Sequence, residues 1–233
     1  MKVAIMQPYF MPYIGYFQLI NAVDIFVVYD NIEFSKKGWI NRNRILMNGA
    51  AAFFTIPLKK DSDFLYIEQR SLSGSYPIDK IKIINKIKEL YKKAPEFNNV
   101  FPLIETIFSY SEDNLFKFIH NSIKVLCHYL EIKTDIVIGS SLSINHSLKS
   151  QDKVIEICKK LNTIQYFNPI GGIELYSKTD FKENNIQLNF IKSRNIIYKQ
   201  FDEEFVAWLS IIDVMMFNNQ DEIKQMLNQY DIL

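Results

Sequence analysis

The 233-residue chain has little cysteine: Cys127 and Cys158 stand alone, and no Cys/His cluster has zinc spacing. A disulfide framework and a structural metal are both disfavoured. Arginine is nearly as scarce, with Arg42, Arg44, Arg70 and Arg194 the only four among 27 basic residues. A chain this rich in Lys, Asn and Ile has a bland explanation for that in coding bias, yet the Arg42/Arg44 pair stands out, because arginine is the side chain suited to bidentate anion recognition. Net charge is only +1, so no global field draws the chain to DNA or to a membrane surface. Long apolar runs are missing as well. Val3 to Met6 is too short for a signal segment, and nothing reaches the roughly 18 apolar residues of a membrane span. The cytoplasm is the default compartment. No G-x-G-x-x-G, Walker loop or G-x-S-x-G elbow occurs, and no internal repeat or low-complexity tract. What remains is 48% apolar and 23% charged, the balance of an ordinary globular protein.

Hydrophobic patterning supplies the fold. Residues 2–7 form a continuously apolar run ending at Pro8, as a buried parallel strand does. Residues 13–22 have helical apolar spacing, and 24–29 predict a second strand. Strand, helix and strand within 30 residues make a βαβ unit, whose sheet is covered on both faces. Asn48-Gly49 between apolar runs at 44–47 and 51–56 predicts a hairpin. One strand is predicted at 65–69. Helices follow at 78–93, 99–110 and 113–131, with Pro95 and Pro102 as punctuation. The α/β alternation then returns: strand 135–138, helix 150–161, strand 163–167, a short helix near 173–184, and strand 187–191. The reading is one α/β domain over residues 1–233. It has a mostly parallel Rossmann-like sheet with helices on both faces, a β-hairpin, a helical insertion at 78–131 and a C-terminal helical segment at 202–233.

In open parallel sheets, ligands bind beyond the carboxyl ends of the strands. Four segments fall there. The first, 7–16, carries Gln7, Tyr9, Tyr13 and Tyr16 around Pro8, Pro12 and Gly15. Backbone N–H groups at a strand-to-helix turn suit an anion, and Gln7 offers amide hydrogen bonds to a substrate. The second, 30–44, packs Asp30, Lys36, Trp39, Asn41, Arg42, Asn43 and Arg44 into 15 positions. Asp30 closes a strand, where a carboxylate is aimed and tuned. Lys36 with Arg42 or Arg44 suits a diphosphate, and Trp39 a base or sugar. In an extended chain Arg42 and Arg44 share one face while Asn43 points away. The third, 139–146, offers Ser140 and Ser141 to phosphate or sugar hydroxyls and His146 as a general base. His120 and His128, eight apart on one helix, are read as structural. The fourth, 166–176, holds Asn168, Gly171, Gly172 and Tyr176, with two glycines that permit close backbone approach.

A strand, a proline turn and a helix headed by Gly and an imidazole also mark nucleotidyltransferases with a HIGH-type signature. Here Gly15 precedes Tyr16, so the phosphate-contacting imidazole is absent and only the fold hint carries over. A closer likeness lies in M-Q-P-Y-F-x-P-Y-I-G-Y-F-Q-L-I at 6–20, V-D-x-F-V-V-Y-D at 23–30 and G-W-I-N-R-N-R-I-L at 38–46. N-P-I-G-G-x-x-L-Y at 168–176 and W-L-S-I-I-D-V at 208–214 extend it. With these motifs the chain resembles the WbqC-like proteins of bacterial surface-polysaccharide gene clusters. The resemblance implies a glycine-type transferase that modifies a sugar nucleotide or glycan with a small acyl or aminoacyl group. It carries over no catalytic residues.

The expected activity is acyl or aminoacyl transfer to an amino sugar held as a sugar nucleotide, in O-antigen or related synthesis. Asp30 or His146 is the base, and Gln7 a third candidate at the reacting centre. No metal or prosthetic group is implied. The donor is unidentified, with aminoacyl-tRNA or a carrier-bound group as options. Two other readings stand beside it. One is a nucleotidyltransferase-like or amino-acid-activating enzyme, which pyrophosphate exchange would reveal. The other is a non-catalytic sugar-nucleotide-binding module, marked by binding without turnover.

Overall fold

Strand β1 (Lys2–Met6) runs through the interior of a six-stranded sheet in the computed structural model, which describes residues 1–201 and 204–233. Its neighbours are β2 (Ile25–Val28) on one side and β6 (Gln165–Pro169) on the other, both parallel. β5 (Asp135–Ile138) lies beyond β2, β7 (Gln187–Ser193) beyond β6, and β8 (Tyr230–Ile232) pairs antiparallel at the far edge. The spatial order is β5-β2-β1-β6-β7-β8. The chain therefore builds outward from β1 through β2 to β5, then returns across β1 and builds the other way. That reversal leaves a crevice between the carboxyl ends of β1 and β6, where open α/β sheets take their ligands.

Continuous apolar runs made these strands predictable, and burial on both faces explains the runs. Ala4, Phe26 and Val28 pack on one face with Phe17 and Ile20 of α1 (Ile14–Asn21) and Ile119 and Ile123 of α4 (Leu115–Tyr129). Val3, Ile5 and Val27 pack on the other with α5 (Ser150–Lys160) and α6 (Lys178–Glu183) through Val154, Ile157 and Phe181. Each Val, Ile or Phe side chain among these, fully buried, contributes about 1.5–3 kcal/mol.

Between β2 and β5 the chain leaves the sheet. β3 (Arg42–Met47) and β4 (Ala50–Thr55) form a separate antiparallel hairpin. Asn48 and Gly49 have φ of 51° and 72°, the left-handed pair that a two-residue turn needs. Helices α2 (Tyr76–Tyr91), α3 (Phe97–Ser109) and α4 follow, at the places that apolar spacing predicts. Pro102 sits inside α3, as it does in the expected helix 99–110. So close to the helix start, its missing N–H removes one intrahelical bond.

Three expectations change. Residues 65–69 are not a strand: Tyr66 makes one bridge to Glu33, and Ile67–Gln69 is a 3₁₀ turn. The Gln69 side chain accepts the Tyr66 N–H at 2.9 Å, which bends the segment away from pairing. The helix near 173–184 is a 3₁₀ turn over Ile170–Leu175 and then α6, which starts where Ser177 caps it. The segment expected to be helical over 202–233 begins with two positions outside the described residues and is irregular up to Ser210. α7 (Ile211–Phe217) and α8 (Gln220–Met226) are short and separately capped by Ser210 and Asn219. The chain then ends in β8, whose hydrogen bonds to the β7 edge outweigh helix continuation. Among the described residues, no helix is long and apolar enough to cross a membrane.

Candidate functional site

The turn from β1 into α1 is held from three directions. Asn43 of β3 donates to the carbonyls of Phe10 (3.4 Å) and Met11 (2.8 Å). Ser210 Oγ donates to Met11 O at 2.6 Å, and Ile211 N to Pro12 O at 2.8 Å. Gln7 Nε2 donates to Tyr9 Oη at 2.8 Å, and Tyr16 Oη to Gln7 O at 3.1 Å. Met11 adopts φ 44°, and Trp208, just before the Ser210 cap, φ 61°. Left-handed backbone at two non-glycine residues is strain that surrounding structure must hold in place, and it clusters at functional positions.

These contacts enclose a cavity of about 180 Å³ lined by Tyr9, Pro12, Tyr13, Trp39, Asn43, Arg44 and Trp208. The hairpin supplies its cationic wall. The Arg44 guanidinium lies 5.2 Å over the Trp39 ring, Trp39 stacks on Phe53 at 5.8 Å, and Arg42 lies 5.3 Å over Phe53. Arg44 Nη2 donates to Trp208 O at 3.0 Å, while its buried Nε has no partner among the described residues. Tyr13 meets Trp208 edge-on at 5.8 Å. Both rings also line a second cavity of about 380 Å³ with Gly15, Leu19, Ile170, Ile191, Lys192 and Arg194, over the carboxyl ends of β6 and β7. Tyr13 and Trp208 thus form a shared wall. Gly15 makes this possible: a Cβ there would lie 2.3 Å from Tyr13 Cε2.

A second polar group forms at the carboxyl ends of β2 and β5. Register pairs Met6 with Val28, so Gln7 and Tyr29 leave the sheet side by side, on strands about 4.8 Å apart. Asp30 follows, 1% exposed, and accepts Ser140 N at 2.8 Å and Ser140 Oγ at 2.5 Å. Gly139 permits this approach, since a Cβ there would stand 3.1 Å from Val28 O and 3.3 Å from Asp30 Oδ1. Lys153 Nζ donates to Asn31 Oδ1 at 3.1 Å and lies 5.0 Å over the Tyr29 ring. Asn31 Nδ2 donates to His146 Nδ1 at 2.9 Å, and His146 Nε2 to Leu142 O at 2.9 Å. A carbonyl only accepts, so the neutral imidazole carries its proton on Nε2. Burial, and then the Asp30 charge, raise the Glu68 carboxyl above its ordinary value. Burial lowers the Lys153 ammonium, partly offset by Asp30 and Glu68.

The predicted residues therefore divide. Tyr9, Tyr13, Trp39, Asn43 and Arg44 share the first cavity, with Gln7 and Tyr16 bracing its turn. Asp30, Ser140 and His146 belong to the second group. Arg42 spends its guanidinium on the carbonyls of Gly38 (3.0 Å) and Lys37 (2.6 Å) and does not line the cavity. Asn41 clips Ile56 O at 2.8 Å, Lys36 pairs with exposed Asp63, and Ser141 returns to Ile138 O. Asn168 contacts Tyr166 Oη and packs on Gly172, where a Cβ would come within 3.1 Å of its amide; Gly171 faces open space. Tyr176 packs against Tyr166 and Phe181.

Sequence reasoning missed Glu68, Lys153, Asn31 and Trp208 as site residues. Glu68 lay in a segment read as a strand, and Lys153 among ordinary helix lysines. Trp208 was visible only inside the W-L-S-I-I-D-V motif. In that motif Asp213, fully buried, accepts Tyr91 Oη and Tyr198 Oη at 2.7 Å each and Gln200 Nε2 at 2.5 Å. It anchors the start of α7, and through Ser210 the position of Trp208.

Comparison with known proteins finds that the model of the WbqC-like protein family matches residues 7–225. The uncharacterized protein Rv1507c of Mycobacterium tuberculosis is 26% identical over 221 residues, covering 93% of each chain. No solved structure matches.

Proposed function

The chain belongs to the WbqC-like protein family, and on that premise we propose a transferase that attaches a small acyl or aminoacyl group, glycyl in type, to an amino sugar. The acceptor is carried as a sugar nucleotide, and the product serves O-antigen or related surface-polysaccharide synthesis in the cytoplasm. One observation carries the reading: an aromatic cavity with an incompletely paired arginine at the turn that follows β1, with a buried polar cluster around Asp30 beyond the carboxyl ends of β2 and β5. Tyr9, Tyr13, Trp39 and Trp208 offer ring faces to a base or sugar. Arg44 offers charge-assisted hydrogen bonds to a diphosphate.

The chemistry follows from amide formation. A neutral acceptor amine attacks the activated carbonyl of the donor, so the site must take up a proton as the C–N bond forms. The Asp30 cluster supplies that capacity. Its carboxylate is fixed by Ser140 on a rigid strand end, the placement a catalytic constellation needs. His146 is already bonded at both ring nitrogens, so it orients the Asn31–Lys153 chain. The developing oxyanion would be met by loop N–H groups or Asn side chains. The Ile191–Arg194 cavity beyond the Tyr13–Trp208 wall gives a donor its own chamber.

Calorimetry against UDP-, dTDP- and GDP-linked amino sugars tests the reading. At least one is expected to bind, and Arg44→Ala to weaken it by roughly 1.5–3 kcal/mol, the scale of a hydrogen bond to a charged group. Arg42→Ala should change little, because that guanidinium serves backbone carbonyls. Mass spectrometry of the bound amino sugar with a glycyl thioester should then show the mass of one added glycyl group. Equal binding by wild type and Arg44→Ala would refute the cavity assignment.

A further inference from the structure

β7 outruns its neighbour. The parallel ladder to β6 ends with Pro169 opposite Ile191, and the chain of β6 then turns into the 3₁₀ segment Ile170–Leu175, while β7 continues to Ser193. Toward β8, Phe190 and Leu233 exchange hydrogen bonds of 3.0 and 2.9 Å, and Arg194 N donates to Gln229 O at 3.0 Å. Backbone groups of successive residues point to opposite sides of a strand. Phe190, Lys192 and Arg194 therefore face β8, and Ser193 faces the side that β6 has left. The Ser193 N–H and C=O have no partner among the hydrogen bonds described. A half-buried strand edge left open in this way suits an extended, amide-bearing chain.

That edge lines the cavity of about 380 Å³ beyond the Tyr13–Trp208 wall, a size that suits a small-molecule ligand. Leu19, Ile170 and Ile191 supply apolar surface there. Lys192 and Arg194 add positive charge at exposed positions. Arg194 pairs with Asp231 at 2.7 Å, whereas Lys192 has no ion-pair partner among the described residues. Such a slot is a poor match for a sugar, whose hydroxyls each need a polar partner when buried. It matches a chain that carries amides and methyl groups and ends in a phosphate.

Resting on the transferase reading, we propose that this slot takes a phosphopantetheine arm, so that the acyl donor is a thioester and not an ester of RNA. An amide of the arm pairs with the Ser193 backbone, its dimethyl-bearing segment lies on Leu19, Ile170 and Ile191, and its phosphate stays at the rim with Lys192. The thioester end then reaches the Tyr13–Trp208 wall, which the Arg44 cavity shares. In the transfer, the acceptor nitrogen bonds to the thioester carbonyl carbon, the C–S bond breaks, and the proton lost by nitrogen leaves with the thiol. Atoms and charge balance without an oxidant or reductant. Free coenzyme A and a carrier protein present the same arm, and the test separates them.

Calorimetry compares pantetheine, phosphopantetheine, coenzyme A and a carrier protein loaded with phosphopantetheine. The proteins are wild type, Lys192→Ala and Ile170→Trp, with a dTDP- or UDP-amino sugar as reference ligand. Wild type is expected to bind phosphopantetheine more tightly than pantetheine, by about three- to fivefold, the scale of an exposed ion pair. Lys192→Ala should abolish that difference. Ile170→Trp fills the slot and should lose phosphopantetheine binding while holding the amino sugar nucleotide as wild type does. Lys192 is exposed, so Lys192→Ala decides the matter where Ile170→Trp disturbs the fold. Tighter binding of coenzyme A than of phosphopantetheine would identify the free coenzyme as the source, and tighter binding of the loaded carrier would identify the carrier; either supports the arm. Wild type that binds an amino sugar nucleotide but none of the four arm compounds would overturn this inference and leave the transferase reading standing. So would phosphopantetheine binding that both variants leave unchanged. Failure of wild type to bind any amino sugar nucleotide would overturn the transferase reading, and this inference with it.

Discussion

Replacing Asp213 by alanine removes an acceptor on which three donors converge. Tyr91 Oη and Tyr198 Oη have no other acceptor among the hydrogen bonds described, whereas Gln200 Nε2 keeps a second bond to Val206 O at 3.1 Å. Two hydroxyls left without an acceptor, buried Tyr91 and half-buried Tyr198, cost about 1–3 kcal/mol each. Burial of the carboxylate itself opposes folding, because it raises Asp213 above its ordinary value, and losing the charge returns part of the cost. A net loss of about 3 kcal/mol is expected. At about 2–4 °C per kcal/mol for a chain of this size, Tm should fall by roughly 10 °C. Circular dichroism melting measures this. The sign of the pH dependence is a further check. A carboxyl with a raised folded-state pKa binds its proton more tightly in the native state, so its contribution is most favourable below the unfolded value near ~3.9 and is lost as pH rises through the folded value. Asp213→Asn should therefore compare better with wild type at pH 7 than at pH 4. In a double-mutant cycle, Tyr198→Phe should cost less in the Asp213→Ala background than alone. A Tm within 2 °C of wild type for Asp213→Ala, or additive costs in the cycle, would refute the view of Asp213 as the anchor of α7.

Gly15→Ala is expected to push the Tyr13 ring off the helix start, since the new Cβ would meet it at 2.3 Å. Nucleotide binding should weaken while the circular dichroism spectrum stays native; unchanged binding would place Tyr13 outside the site. Cys127 and Cys158 are buried and their thiols pushed up to about 12, so a thiol reagent at pH 8 should label neither until denaturant is added. Rapid labelling of the native protein would contradict the packing of α4 or α5.

The elements with a local cause were legible in the sequence. β1 and β2 were visible as unbroken apolar runs because both faces of a parallel sheet are covered. Asn48-Gly49 announced the hairpin because few residue pairs accept left-handed backbone twice in succession. α2 to α4 were visible because helical period places their apolar residues on one side. Asp30 stood out because it closes a strand, and its location follows from that strand alone.

Partner choice was not legible. Arg42 and Arg44 are alike by type and alternation, yet one faces carbonyls of its own loop and the other a cavity completed by Trp208, 164 residues onward. Asp30 meets Ser140 across 110 positions, and Asn31 meets His146 across 115. The C-terminal segment had helical composition, but an edge strand with free hydrogen-bonding groups took its last residues. Backbone hydrogen bonding and side-chain period act within a few residues and leave their mark on the local sequence. The pairing of distant polar groups depends on where the sheet brings strand ends together, and only the assembled fold sets those distances.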